Sequence, residues 1–224
     1  MNRLPRLGLV STLALLALLA CDPRVQGNGE LAVEHRAVSP FEEVEVSLGI
    51  EAALTSNAAQ QPIALSGDSN LLPFIVTPVE GGVLKTRLRV VSGVDPVNPL
   101  RLVAQDAALR RVKATEASIV DVEGAGSAAE GFSFEVEAEG QSSVQLAGSG
   151  GHRLQVKLSG ASALDASGYP VADAEVLLTG GSSLKVRTSG ALAGSAADKS
   201  SVVVTGGGSC AALVLSGAAT CLAP

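Results

Sequence analysis

Aromatic side chains are scarce in this sequence: they make up 2% of its residues, and tryptophan is absent. The chain also has no run of basic residues, and its formal net charge is −6. Nucleic-acid binding draws on clustered positive charge and, for single strands, on stacking rings, so this composition argues against a nucleic-acid partner. With so few rings, the core must be built from small aliphatic side chains, which suits a narrow interior.

Histidine is also rare, and the motifs of common chemistry are missing. His35 and His152 have no ligand-like spacing. The chain has no Cys/His zinc arrangement, no EF-hand loop, no Gly-x-Ser-x-Gly elbow and no phosphate-binding glycine loop. Ser182 and Lys185 have the spacing of a serine nucleophile and a lysine base, but strand alternation points Leu184 inward and Lys185 outward, so we interpret the match as chance. The sequence therefore predicts no catalytic, metal or cofactor site.

Two short acidic rows are the remaining candidates for acid–base chemistry. They are Glu42, Glu43 and Glu45 in one row, and Glu135, Glu137 and Glu139 in the other. Paired carboxylates can serve acid–base catalysis. Carboxylates that alternate with valine on a strand are equally typical of a solvated outer face, and we prefer that interpretation.

Between Phe132 and Cys221 the sequence contains a short motif of small residues that recurs. Its copies end at Val144, Leu164, Leu184, Val202 and Cys221, in steps of 20, 20, 18 and 19 residues. A fixed period of this size is typical of stacked repeats. Runs of period-2 alternation flank each copy, so each unit of about 20 residues predicts a strand, a small-residue corner, a second strand and a Gly-rich turn.

One such unit cannot bury enough apolar surface to order itself, so the units must stack and pair backbone to backbone. The prediction is an all-β, solenoid-like stack of short strands, with an ordinary antiparallel sandwich as the alternative. Four serines occupy equivalent corner positions: Ser142, Ser162, Ser182 and Ser200. We expect them to form a structural ladder that satisfies backbone groups at the corners, in preference to a glycan-binding stripe.

Residues 1–20 have the layout of a secretory signal peptide, with two arginines before an apolar run. The sequence Leu18-Leu19-Ala20-Cys21 resembles a bacterial lipobox, in which cleavage leaves Cys21 as a lipid-carrying N-terminus. The alternatives are a plain signal peptide with a chance cysteine, or a short membrane anchor, although the run is shorter than the roughly 20 residues that span a bilayer. Residues 21–30 are predicted to be a tether. The expected location is the bacterial cell envelope, on the periplasmic or the outer side, with the membrane contacted through the lipid.

Two further cysteines, Cys210 and Cys221, lie in the last repeat unit. In an exported protein such a pair can form a disulfide that fixes the exposed end of the stack. The alternative is a pair of buried thiols, because Cys221 aligns with the inward-facing Leu164 and Leu184. Both interpretations stay open at this point.

The N-terminal half carries further short strands and two recognisable segments. They are residues 39–46 (SPFEEVEV) with Gly49 and Ile50, and residues 67–74 (GDSNLLPF) followed by 79–84 (VEGGVL). Together with the Ser-Gly-Ala-Ser repeats they resemble the head GIN domain family, also described as putative auto-transporter adhesin, from about Gly27 to Leu222. The resemblance implies an all-β, right-handed β-helix-like fold in exported bacterial proteins, often lipoproteins, and carries no catalytic residues over.

Pro96 and Pro99 disfavour a central strand, so we place a soft boundary between an N-terminal β layer at 31–98 and the C-terminal repeats at 99–224. The preferred function is that of a non-enzymatic envelope lipoprotein, structural or adhesin-like, whose surface meets a glycan, an envelope protein or another copy of itself. The alternative is a polysaccharide-processing β-solenoid enzyme. Such an enzyme needs acids or bases converging in one groove, whereas charge looks sparse within the regular repeats.

Overall fold

The structure is a computed structural model that describes residues 24–56, 58–106, 108–127 and 131–223. Within these residues the protein is all-β, as predicted: it has no α-helix and a single 3₁₀ turn, Leu72–Phe74. The strands are β1 Arg24–Gln26, β2 Leu31–Arg36, β3 Glu43–Val46, β4 Glu51–Ser56, β5 Ile63–Asp68, β6 Ile75–Val76, β7 Val79–Glu80, β8 Val83–Lys85, β9 Arg87–Leu88, β10 Gly93–Asp95, β11 Arg101–Asp106, β12 Arg111–Ala114, β13 Ile119–Gly126, β14 Ser133–Ala138, β15 Ser143–Leu158, β16 Ala163–Leu178, β17 Ser183–Thr188, β18 Leu192–Ala196, β19 Ser201–Thr205, β20 Leu213–Leu215 and β21 Thr220–Leu222. The signal peptide and Cys21 lie outside the described residues.

Among the described strands, 17 belong to one continuous sheet, while β1 pairs with β10 and β6 pairs with β9. Two long strands divide this sheet into two stacks. The first half of β15 pairs with β13 and its second half with β14, and β16 pairs in the same way with β17 and β18.

The first stack runs, in spatial order, through β8, β3, β12, β14, the second halves of β15 and β16, β18 and β20. The second stack runs through β2, β5, β11, β4, β13, the first halves of β15 and β16, β17, β19 and β21.

The pairing within both stacks is parallel except where β2, β5 and β11 meet. The remaining strand of the sheet, β7, pairs antiparallel with β8. In the second stack Val144 lies opposite Leu164, which lies opposite Leu184, and the column continues through Val202 and Cys221. These are the residues that end successive copies of the repeated motif. The period of the sequence therefore sets the register in which the strands pair. An antiparallel sandwich, the alternative weighed from the sequence, does not pair its strands this way.

The sequence predicted a Gly-rich turn between the two strands of each unit, and this prediction is wrong for two of the units. There β15 and β16 continue as single strands of 16 residues each. The register shifts between Gln145 and Gly151 show that the chain bends through bulges without leaving the sheet. A bulge redirects a strand while neighbouring residues keep their pairing, and the small residues Gly148 and Gly150 make room for the close approach of the adjacent strand.

The opposite corners follow the prediction. At Gly160 and Ala161 the backbone has φ values of 66° and 64°, and the same positive pair recurs at the corresponding corners. Ser162 closes the corner by donating its hydroxyl to the carbonyl of Ser159 at 2.7 Å. Ser118, Ser142 and Ser182 repeat this bond. Ser142, Ser162 and Ser182 thus bond to the backbone, and because all four ladder serines are buried, none of them offers its hydroxyl to a glycan.

The interior between the stacks is aliphatic. A typical column places Val44, Val112, Val136, Val156 and Val176 in successive register. Each of these valines is at least 98% buried. The main exception to the aliphatic pattern is a ring contact between Phe134 and Tyr169, whose centroids are 5.8 Å apart. Burial raises the pKa of Tyr169 to about 12, so its phenol stays neutral.

The N-terminal segment is more ordered than a tether. Residues 24–26 form β1, which pairs in parallel with β10, and the backbone of Gly29 donates to the buried carboxylate of Asp68 at 2.9 Å. The predicted soft boundary near Pro99 does not separate two sheets, because β11 beyond it pairs with both β4 and β5 before it. Most of the described chain therefore shares one hydrogen-bonded framework.

Candidate binding surface

The outer face of the first stack carries a row of side chains with alternating charge. Lys85, Glu45, Lys113, Glu137 and Lys157 lie opposite one another on five successive strands. They point outward because they alternate with the buried valines of β3, β12, β14 and β15. Adjacent strands are about 4.8 Å apart, so each cation in the row has an anion within reach on the next strand. We call this row and its neighbour described next the charge ladder.

The neighbouring row consists of Glu43, Arg111, Glu135, Gln155 and Glu175. Arg111 is the centre of this part of the ladder. Its guanidinium lies 3.2 Å from Glu43, 3.0 Å from Glu137 and 3.7 Å from Glu135. Three carboxylates therefore converge on one arginine. Arg111 and Glu43 are 68 positions apart in sequence and meet only because the strands stack, so this convergence is not visible within any single repeat.

The contacts within the ladder favour the charged forms of Glu137, Lys113 and Arg111. Burial alone would raise the pKa of Glu137, but hydrogen bonds from Lys113 and Arg111 bring the pKa below its ordinary value. Burial acts in the opposite sense on Lys113 and Arg111, and their carboxylate neighbours raise both pKa values. The arrangement suits electrostatic recognition, since two cations favour the ionised form of Glu137.

Two open grooves lie beside the ladder. The first has a volume of about 380 Å³, and Arg111, Phe132 and Gln155 contribute to its lining. The second, of about 470 Å³, lies nearer the C-terminal end between Lys157, Leu177 and Ser195. Both combine charged or amide groups with an apolar side chain, a mixture that suits a polar ligand with some apolar surface.

Both acidic rows found in the sequence lie on this outer face, as predicted. Glu42 pairs with Arg110 at 3.0 Å, and Glu139 pairs with Lys113 at 3.4 Å. The sequence showed which face the acids occupy but not their cations. Arg111 and Lys113 stand in an unremarkable Arg-Val-Lys run, and only the strand order brings that run between the two acidic ones.

The other sequence candidates remain apart. Ser182 is buried and its hydroxyl donates to Thr179, whereas Lys185 points outward to Asp165 at 3.3 Å. The chance interpretation of this serine–lysine spacing therefore agrees with the geometry. His35 and His152 are both exposed. Within the described part of the chain, no three His, Cys, Asp or Glu side chains are grouped so that they could hold a metal ion.

Cys210 and Cys221 are joined by a disulfide, with their Cα atoms 6.2 Å apart. The bond links the segment before β20 to β21, the last strand of the second stack. Cys221 also occupies the inward column, opposite Val202, so the alignment with inward residues and the disulfide coexist.

The described residues include no helix with the length and apolar character needed to cross a membrane.

Parallel stacking with a period near 20 residues and an ordered, charged outer face define an all-β repeat protein. The family model of the head GIN domain, described as putative auto-transporter adhesin, matches residues 40–208. The chain belongs to this family, as the resemblance in the sequence predicted. No match is found among curated proteins.

Solved structures share the architecture. A putative adhesin from Bacteroides fragilis NCTC 9343 is 13% identical, with a TM-score of 0.66 over 89% of this chain and 98% of that one. A putative lipid binding protein from Parabacteroides distasonis ATCC 8503 is 15% identical, with a TM-score of 0.61 over 90% of this chain and 100% of that one. A putative adhesin from Parabacteroides merdae ATCC 43184 is 15% identical, with a TM-score of 0.52 over 90% and 99%. At these identities the likeness is one of fold.

Proposed function

We propose that the protein is an envelope lipoprotein with a non-catalytic, adhesin-like binding role, built as a right-handed β-solenoid and attached to a bacterial membrane through Cys21. The observation that carries the binding role is the charge ladder. It places side chains of alternating charge on five successive strands of one outer face. The partner is a glycan, an envelope protein or a second copy of the chain.

The physical argument is preorganisation. Lys113 contacts Glu137 at 3.2 Å and Glu139 at 3.4 Å, and Arg111 is held by three carboxylates, so these side chains have already lost much of their rotamer freedom. A partner that binds an ordered surface loses less conformational entropy than one that must order it. Alternating charge contributes specificity and orientation more than raw affinity. Family membership and the adhesin descriptions of similar folds support the same role.

One specific observation favours a catalytic alternative, the polysaccharide-processing enzyme. Glu43, Glu135 and Glu137 converge beside an open groove, as the acids of a glycoside-cleaving site would. Glycoside hydrolysis needs one carboxyl group that stays protonated, with a raised pKa. The pKa of Glu137 is lowered by its cations, and for this reason we rank binding above catalysis.

The binding role is tested with the purified chain on immobilised glycans and on labelled envelope proteins, together with its own sedimentation behaviour. Arg111→Gln combined with Lys113→Gln should lower binding to whichever class is captured. The matched control is Lys185→Gln, which removes an exposed ion pair from the second stack and should leave binding unchanged. Capture of nothing from any of the three classes would contradict the proposal. Release of reducing sugar by the wild type, lost in Glu137→Gln, would favour the enzyme.

Lipid attachment is supported by the sequence alone, through the lipobox-like Leu18-Leu19-Ala20-Cys21. Intact mass of the membrane-extracted protein should correspond to a chain that begins at an acylated Cys21. Protease treatment of intact cells then separates an outer-surface location from a periplasmic one. A mature N-terminus at any other residue would contradict this part of the proposal.

A further inference from the structure

The outer face of the second stack exposes several large apolar side chains at its N-terminal end. Three of its first five strands, β2, β11 and β13, carry them: Leu31 is 66% exposed, Val33 56%, Val103 53% and Ile119 47%. Ala64 and Ala53 flank Val103 on the neighbouring strands, and the row between Val33 and Ile119 holds Ser66, Arg101 and Glu51. We call the four large apolar residues and the two alanines the N-terminal patch.

The patch holds most of the large exposed apolar residues of this face. Beyond β13 the register positions that follow Ile119 become polar or small, namely Ser143, Ala163 and Ser183. The parallel column from Ala53 continues through the polar residues Asp121, Gln145, Asp165 and Lys185, and becomes apolar again only at Val203 and Leu222 at the far end of the stack. Strands can pair whether the side chains on their outer face are apolar or polar. The exposed apolar residues at the N-terminal end are therefore not needed for folding, and such exposed patches commonly mark interaction sites.

The surface has the form expected of a contact area. A shallow depression of about 300 Å³ is lined by Ala53, Val103 and Ile119 among others. Two of its three charged residues pair with each other, since Arg101 contacts Glu51 at 2.9 Å, and Asp121 is the third. Covering this area would therefore remove apolar surface from water without leaving Arg101 or Glu51 unpaired.

The occupant is indicated by the length of chain between the patch and the proposed lipid. Cys21 is three residues before Arg24, the first residue of β1. Three residues extend to at most about 10 Å. From β1 the chain continues to Leu31, the first exposed residue of the patch. An acylated Cys21 would thus hold Arg24, at the start of β1, within about 10 Å of the bilayer surface, and Leu31 follows seven residues later.

We propose that the N-terminal patch rests on the lipid bilayer, so that the protein lies with this end of the second stack against the membrane. This inference relies on the lipid attachment proposed above. Four exposed side chains form a weak membrane contact by themselves. Attachment through the lipid makes the contact intramolecular, and a high effective concentration turns a weak contact into an occupied one. The charge ladder, on the other stack, is left for a partner.

The test uses the full lipidated chain in vesicles of phosphatidylethanolamine and phosphatidylglycerol. An environment-sensitive fluorophore is attached at position 103 through Val103→Cys, and at position 214 through Val214→Cys as the matched control. Val214 is 67% exposed and lies on β20, at the far end of the first stack. The probe at 103 should be blue-shifted and quenched by a spin-labelled phospholipid, whereas the probe at 214 should be quenched by soluble iodide only.

Flotation of the vesicles tests lipid attachment separately from the membrane contact of the N-terminal patch. If the protein does not float, lipid attachment fails, and the patch inference fails with it. If the protein floats but the probes at 103 and 214 respond alike to the lipid quencher, the anchor is retained and the membrane contact is overturned. If position 103 is shielded from iodide without being reached by the lipid quencher, another protein surface covers the patch, which also overturns the inference. Hydrogen exchange of β2 in the unlabelled chain, slower on vesicles than in detergent, is the result expected without any substitution.

Discussion

Asn98 donates two hydrogen bonds to Asp68, one from its side-chain amide at 2.7 Å and one from its backbone at 3.1 Å. The same carboxylate accepts from the backbones of Val97 and Gly29. Asp68 therefore joins the end of β5, the approach to β11 and the turn that follows β1. One buried acid holds the N-terminal segment onto the sheet, and the membrane link proposed above depends on this arrangement.

The first prediction concerns this acid. Asp68→Ala should destabilise the protein, because it leaves several backbone donors without a partner in a buried position. The effect should exceed that of Asp95→Ala, which removes only an exposed ion pair with Arg24, an interaction worth at most about 1 kcal/mol. Urea unfolding measures both. Hydrogen exchange at Gln26 and Gly29 should rise in the Asp68 variant alone, and equal effects of the two substitutions would contradict the role assigned to Asp68.

The second prediction is a pH dependence. Burial raises the pKa of Asp68. The hydrogen bonds that its carboxylate accepts from Val97, Asn98 and Gly29 lower the pKa by more than burial raises it, so the net pKa lies below the ordinary value of 3.8. A carboxyl group with a lowered folded-state pKa contributes stability that is complete above its unfolded pKa and is lost as pH falls through the folded pKa.

The difference in urea midpoint between wild type and Asp68→Ala should therefore be constant from neutral pH down to about 5 and shrink below the ordinary pKa of an aspartate. Glu137, whose pKa is also lowered, destabilises both proteins in acid, so its contribution cancels in this difference. A difference that widened on acidification would contradict the assignment.

The sequence predicted the repeat and its register but not the surface chemistry. Val144, Leu164 and Leu184 end equivalent copies of the repeated motif, and they lie opposite one another on successive strands. When a strand with alternating apolar residues is repeated every 20 residues, one parallel register buries all of its apolar rows. Local chain order decides that result. The partners of Arg111 could not be found in this way, since Glu43 lies in the N-terminal half and Glu137 in the repeats.

The orientation of β2 also depends on its place in the sheet. Leu31 and Val33 have the alternation of a half-buried strand, in which the apolar side ordinarily faces the core. In the structure the inward side of β2 is given by Glu34 and Arg36, whose guanidinium donates to the carbonyls of Leu72 and Ile75. A strand at the edge of the sheet can place its polar side toward backbone groups that need donors.

The third prediction distinguishes two serines of the corner ladder. Ser162→Ala removes a hydroxyl that donates to the Ser159 carbonyl at 2.7 Å, and should cost about 1 kcal/mol. Ser200→Ala changes an equivalent buried serine whose hydroxyl has no partner among the described residues. Its cost should be near zero, because no hydrogen bond is lost. Chemical denaturation of the two variants side by side measures the difference. Equal costs would mean that the ladder is a matter of packing and not of hydrogen bonding.

The fourth prediction concerns a glycine in β18. Gly194 has a φ of 114°, and a Cβ placed there would lie 2.0 Å from the carbonyl oxygen of Val176. Gly194→Ala should therefore cost at least about 2 kcal/mol, through strain and a displaced strand. Gly207 has a φ of 94° with open space around it, so Gly207→Ala should cost only the backbone term, about 1–2 kcal/mol. Thermal unfolding compares them, and a milder effect at position 194 would contradict the close approach of β18 to β16.

The last prediction concerns the disulfide between Cys210 and Cys221. It closes a loop at the C-terminal end of the stacks, where β20 and β21 have a neighbouring strand on one side only among the described residues. Closing a loop of this length is worth about 2–3 kcal/mol in the chain-entropy account. Reduction should therefore speed hydrogen exchange in residues 213–222 by one to two orders of magnitude, roughly the equivalent of that free energy, because this end frays first. The central strand β14 should keep its exchange rate, since each of its neighbours is still paired. A uniform rise across both regions would show that the disulfide stabilises the whole stack and not its end.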